Sequence, residues 1–149
     1  MSEPTIELLN RQRRVALDTR WLRRAVALAL PKCAALSDDG RFALRALPEV
    51  VVAIVSDTAI AKVHVDFMGI EGPTDVITFE HGDIVVSADT AVAYAKRYRH
   101  PIERELALYS IHGLLHLNGF DDLAAAPAAR MRRAQNCVLR EVLKLLPTP

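Results

Sequence analysis

Residues Val50 to Val55 read VVVAIV, an unbroken β-branched and apolar run. A strand with an apolar side chain at every position has no face to offer water, so it must be covered on both sides. The 149 residues suffice for one compact domain around such a strand. Helical periodicity lies on either side of it. Asp18 can cap a helix through about Leu30, because its carboxylate can accept amide hydrogens of the first turn. In that helix Trp21, Leu22, Ala25, Val26 and Ala29 recur at helical spacing and leave Arg20, Arg23 and Arg24 for solvent.

The remaining elements follow from breakers and periodicity. Thr5 to Leu9 can be a short strand, and Ser37-Asp38-Asp39-Gly40 reads as a turn. Ser56-Asp57 opens a helix reaching about Phe67, which Gly69, Gly72 and Pro73 break. Val76 to Phe79 and Ile84 to Val86 are strands, and the short link Glu80-His81-Gly82-Asp83 suggests that they pair antiparallel. Ala88 to about Arg99 is helical, and Pro101 suits the first turn of a second helix running to about Leu117. Asn118-Gly119 is a stop signal, since both residues tolerate the left-handed conformation. A last helix, Pro127 to about Leu146, puts Met131, Ala134, Val138, Val142 and Leu145 on one stripe. No repeat, low-complexity tract or domain boundary interrupts residues 1–149, so a single α+β domain is expected.

No apolar run approaches the ~20 residues needed to span a bilayer. The segment MSEPTIELL shows no basic stretch leading into an apolar core, so no secretory signal is visible and a cytoplasmic location is expected. Cys33 and Cys137 lack metal-knuckle spacing, and each sits in an apolar helical context that suggests packing. Fifteen of the nineteen basic residues are arginine, in clusters such as Arg11–Arg14, Arg97–Arg104 and Arg130–Arg133. Such clusters can bind phosphate, but from charge alone solvated helix faces are the favoured reading.

Chemistry concentrates in HGLLHLNGFDD, His112 to Asp122. One helical turn is 3.6 residues, so His112 and His116 project from the same face. Neutral imidazole is a common ligand for borderline-soft divalent metals, and an open catalytic zinc site wants three protein ligands. Asp121 or Asp122, past the helix stop, can supply the third. The bland alternative is a pair of histidines satisfied by backbone carbonyls in a packed helix. Gly113 stands where the metalloprotease motif HExxH carries its glutamate base, which argues against a zinc protease. That glycine is expected to leave the metal's flank open to a bulky substrate.

HGLLHLNGFDD resembles the signature HGxLHLxGYDH of the YbeY family of endoribonucleases. PTDVITF (Pro73 to Phe79) and GDIVVS (Gly82 to Ser87) resemble two further blocks of that family, in its order, and Glu105 matches another recurrent position. The resemblance implies a zincin-like fold with a four-stranded mixed sheet, about five helices and a metal site at the end of a central helix. It implies one zinc ion, single-stranded RNA as substrate, and work on the small ribosomal subunit in 16S ribosomal RNA 3′-end maturation and ribosome quality control. The first two ligands carry onto His112 and His116. The family's third ligand is a histidine, and its position here is Asp122, with Asp121 beside it as the fallback. An anionic ligand lowers the site's charge by one, so harder ions such as manganese become more plausible. A second departure falls at Met68, where the family has an arginine suited to clamping a phosphate. The family's asparagine four residues earlier falls at His64.

The expected activity is metal-assisted hydrolysis of an RNA phosphodiester. Glu105 and Tyr109 share the helical stripe of the two histidines, so Glu105 can orient a ligand or make an ordinary ion pair. Asp75 can touch substrate or cap the turn into its strand. His64 can meet substrate or be merely hydrogen-bonded. Aromatic residues make up only 5%, so little base readout is expected from the chain itself. The rival reading is a non-catalytic ribosome-assembly factor whose metal pins the last helix and loop. A peptidase is a distant third, disfavoured by the missing glutamate.

Overall fold

The computed structural model describes residues 3–149; Met1 and Ser2, within the segment searched for a leader, lie outside the described residues. Four strands form one mixed sheet in the order β1 (Thr5–Asn10), β2 (Glu49–Val55), β4 (Asp83–Ser87), β3 (Val76–Thr78). β1 and β4 flank β2 in parallel, and β3 pairs antiparallel with β4, as the short link between them suggested. The VVVAIV run thus lies in an inner strand and is covered as its composition requires. Val50, Val52 and Ile54 point into the main core together with Ile84 and Val86. Ala53, Val55 and Val85 point the other way, against Ile60 and Val63 of α2 (Asp57–Met68). The period of two along each strand divides the two cores.

The main core is filled by α1 (Thr19–Ala34), α4 (Ile102–Leu117) and α5 (Ala125–Leu145), with α3 (Ala88–Tyr98) packed beside α4. α4 is the central helix, touching β3, β4, α1, α3 and α5. Gly113 lies buried in it, against the sheet. A Cβ there would come within 2.7–2.9 Å of the Ile84 side chain, so the glycine admits the helix to β4 rather than opening a metal's flank.

Three further expectations need correction. α1 continues through Pro31 to Ala34, although an internal proline costs a helix a hydrogen bond. The cost is offset because Cys33 and Ala34 are fully buried and the Asn118 amide donates to the carbonyls of both. The α5 stripe ends on Leu146, which is buried, while Leu145 is 58% exposed; the chain leaves the helix at that point. Cys33 is buried, and burial pushes its thiol pKa up, but Cys137 is exposed and packs nothing. Among the described residues no helix is long and apolar enough to cross a membrane.

Candidate metal centre

α4 carries His112 and His116 one turn apart at its C-terminal end. The helix stops at Asn118, and Gly119 takes the positive φ of 96° that reverses the chain; Asn118 itself stays at φ −106°. Reversal is fixed by the amides of Asn118 and Phe120 donating to Leu115, and that of Gly119 to His116. Asn118 is fully buried and works as a staple: its amide nitrogen reaches the end of α1, and its oxygen accepts from Leu44 N–H at 3.1 Å.

The reversed loop returns two groups to the histidines. The Phe120 carbonyl accepts from His116 Nδ1 at 2.9 Å, and the Gln135 Oε1 of α5 accepts from His112 Nδ1 at 2.7 Å. A carbonyl oxygen can only accept, so each Nδ1 carries the proton and each Nε2 keeps a lone pair. The two Nε2 atoms face each other at 3.0 Å. Asp122 closes the group, its carboxylate oxygens 3.3 Å from His112 Nε2 and 3.6 Å from His116 Nε2. An ion with bonds of about 2.0–2.1 Å in tetrahedral geometry spaces its ligand atoms about 3.3 Å apart. The separations of 3.0, 3.3 and 3.6 Å bracket that figure, the two from Asp122 being made by different oxygens of its carboxylate. His112, His116 and Asp122 are therefore a group that could hold a metal ion. Burial, and then the neighbouring His112, lowers the His116 pKa against the opposing pull of Asp122, a shift toward the neutral ring that ligation requires.

Asp121 turns away. Its carboxylate accepts from Leu123 N–H at 2.7 Å.

The cluster sits at the mouth of a groove of about 720 Å³ between the reversed loop, β3 and the end of α2. Five carboxylates line it, from Asp39, Asp75, Glu80, Asp121 and Asp122, together with His64 and Met68. Arg41 is the one arginine or lysine in that lining among the described residues. Asp39 holds Arg41 through its backbone N–H at 2.9 Å and its Nε at 2.7 Å. These bonds keep the Asp39 pKa below its ordinary value. Asp39 in turn lies flat on Gly119, where any Cβ would collide with it. The groove's single arginine is thus tied to the turn that shapes the histidine cluster.

The other residues singled out by sequence divide. His64 lines the groove, with Nδ1 donating to the Gly72 carbonyl at 2.9 Å and Nε2 left free. Asp75 lines it too, while accepting from Val76 N–H at 2.8 Å at the start of β3. Glu105 does not reach a ligand histidine; it pairs with His100 Nε2 at 3.1 Å. Burial raises its pKa, and His100 only partly opposes that. The residue that does orient a histidine, Gln135, escaped sequence reading. Its signal was there: a polar side chain one helical turn from both buried Met131 and buried Leu139.

A mixed four-stranded sheet, a central helix and a His–His–Asp cluster lining a groove define an α+β protein with a group that could hold a metal ion. A sequence model of the family described as Endoribonuclease YbeY matches residues 7–143, and the chain belongs to that family. Proteins named Endoribonuclease YbeY are similar to it. That of Moorella thermoacetica is 36% identical over 113 residues, covering 63% of this chain and 72% of the relative. That of Chloroflexus aurantiacus is 34% identical over 119 residues, covering 68% and 75%. Among solved structures, the solution structure of TM1509 from Thermotoga maritima superposes with a TM-score of 0.64 at 25% identity, over 93% of this chain and 89% of that one.

Proposed function

We propose that this chain is a metal-dependent endoribonuclease that cuts single-stranded RNA, with His112, His116 and Asp122 as the metal ligands. The observation that carries the reading is the convergence of two unprotonated Nε2 atoms and one carboxylate at 3.0–3.6 Å beside an open groove. The family supports the reaction class, since the relatives are named endoribonucleases. Zinc is the favoured ion, because two imidazoles and a carboxylate in this spacing suit it; manganese is the alternative that the carboxylate makes plausible. The 3′ end of 16S ribosomal RNA, on the small subunit in the cytoplasm, is the proposed substrate.

When bound, the metal supplies Lewis acidity toward a scissile phosphate and lowers the pKa of its water. The chain's own residues do the rest. Gln135 and the Phe120 carbonyl hold the imidazoles in the ligating tautomer. Arg41, positioned by Asp39, offers the groove's fixed positive charge to the phosphate and takes over the role vacated at Met68. His64 presents a free Nε2 from the opposite rim.

The test is cleavage of an unstructured RNA by the metal-loaded protein, alongside His116→Ala. Loss of cleavage with retained fold and retained ribosome association is the expected result. A loaded protein that cuts no RNA yet binds ribosomes sinks the enzyme and leaves a metal-stabilised assembly factor.

A further inference from the structure

Beyond the metal groove, an aromatic row is exposed on the outer side of α3. Tyr94 and Tyr98 are one helical turn apart and stack, with ring centroids 6.2 Å apart and planes 10° from parallel. The His100 ring continues the row 6.4 Å beyond Tyr98, at 9°. Arg99 takes a left-handed conformation at φ 57°, which turns the chain back and lays His100 there. His100 is pinned by Glu105 at 3.1 Å and by the Pro101 carbonyl at 3.1 Å. Tyr94 is 41% and Tyr98 58% exposed, so the row borders solvent. The Arg97 guanidinium lies 5.5 Å over the Tyr98 ring. Between Tyr94 and Arg104 the chain carries Lys96, Arg97, Arg99 and Arg104, all exposed, against one acid, Glu103. Glu103 is itself occupied by the Asp18 N–H at 2.8 Å.

The row is continuous with the metal cluster. A pocket of about 200 Å³ is shared by them, lined by His112 and Gln135 of the cluster and Tyr94 of the row, with the carboxylates of Asp75 and Glu105. Its floor includes Tyr109, buried to 5% exposure, whose hydroxyl is the one buried side-chain polar atom without a partner among the described residues. A buried hydroxyl left unpaired is costly, and a ribose hydroxyl or phosphate oxygen would satisfy it.

We infer that an unpaired RNA strand leaves the metal groove through this pocket and lies along α3, its bases stacked on Tyr94 and Tyr98 and its phosphates met by Arg97, Arg99 and Lys96. The inference rests on the endoribonuclease reading and adds the strand's path. Aromatic faces among arginines are what single-stranded nucleic acid requires: every base has a π-face, and stacking needs it unpaired. A duplex hides those faces. RNA supplies in one ligand both the phosphates that match the row's positive charge and the planar bases that match its rings.

Binding, not cleavage, is the assay. The full chain is titrated, with chelator present, into a labelled unstructured RNA of about 12 nucleotides and into a duplex of the same sequence. Tyr98→Ala is expected to weaken single-strand binding by about 5- to 150-fold, the range that a base–aromatic stack contributes. Tyr98→Phe, which keeps the ring, should bind like the parent. Both positions are solvent-exposed, and an unchanged Tm certifies the fold. Unchanged affinity in a Tyr94→Ala/Tyr98→Ala double variant overturns the path, as does an equal loss for duplex and single strand. If that variant binds unchanged while the metal-loaded parent cuts RNA, the path alone fails. Absence of both binding and cleavage in the parent overturns the endoribonuclease reading with it.

Discussion

Replacing Gln135 with leucine removes the acceptor that faces His112 Nδ1 at 2.7 Å and nearly keeps the side chain's volume. The stranded Nδ1–H then costs about 1–3 kcal/mol, and the ring can escape this by moving its proton to Nε2. The swapped tautomer is well supplied with partners, since Nε2–H could donate to Asp122 at 3.3 Å or to His116 Nε2 at 3.0 Å. It is also unable to ligate. Metal binding must then reverse the swap, so affinity should fall about 10- to 100-fold, as it does when such outer partners are removed elsewhere. That range is about 1.4–2.7 kcal/mol, within the cost of one unmade hydrogen bond to a buried group. The assay is competition for zinc against a chromophoric chelator, with ring ¹⁵N shifts reporting the His112 tautomer. Gln135→Glu, which keeps an acceptor, should match or exceed the parent. Zinc affinity within two-fold of the parent in Gln135→Leu, with Nδ1 still protonated, refutes the argument that α5 sets the tautomer.

Metal analysis should separate the two aspartates: Asp122→Asn loses the ion, whereas Asp121→Asn keeps it and disturbs only the Leu123 turn. Gly113→Ala forces a Cβ to within 2.7–2.9 Å of Ile84. Overpacking of this kind costs about 1–3 kcal/mol, a fall of about 3–10 °C in Tm by calorimetry. In the same chain Ile84→Ala should make the pair cost less than the sum of the singles, and strict additivity would show that the contact is not the cause. For His116 the pKa lies below the ordinary 6.5, so the unfolded chain binds the proton more readily. Its contribution to the metal-free protein is therefore complete above that ordinary value and is lost as pH falls through the lowered one. Tm measured against pH should drop over that interval, and His116→Gln should flatten the drop.

The elements were legible because their signals are local. An unbroken β-branched run marks β2, and Ser56 caps α2 through the Ala59 amide much as the sequence suggests. What failed was decided by distant parts of the chain. Pro31 should end α1, but two and three residues further Cys33 and Ala34 find a core and the Asn118 amide waiting for their carbonyls. Gly113 looked like an opening at the metal because only its helix was visible in the sequence; the Ile84 side chain that it accommodates belongs to β4. Glu105 shares a helical stripe with His112, yet His100, placed by the left-handed turn at Arg99, claims it first. The aromatic count likewise says nothing of placement: two of the three tyrosines fall in one exposed row.

The departures from the family pattern make sense together when charge is followed through the groove. Its lining carries five carboxylates and one arginine, and Arg41 already answers Asp39. A phosphodiester cannot approach that surface without a cation. Two neutral imidazoles and Asp122 around a divalent ion leave a net charge of about +1, where three histidines would leave +2. With that ligand set the charge that a phosphate meets is lower by one, and Met68 in the groove lining adds none. On the endoribonuclease reading, attraction of RNA must shift outward, to Arg41 at the groove's edge and to the arginines around Tyr98. Binding should then be steeply salt-dependent, because those exposed guanidiniums act by displacing counterions. Cleavage of bound RNA, governed inside the groove by the ion and its three ligands, should respond to salt much less.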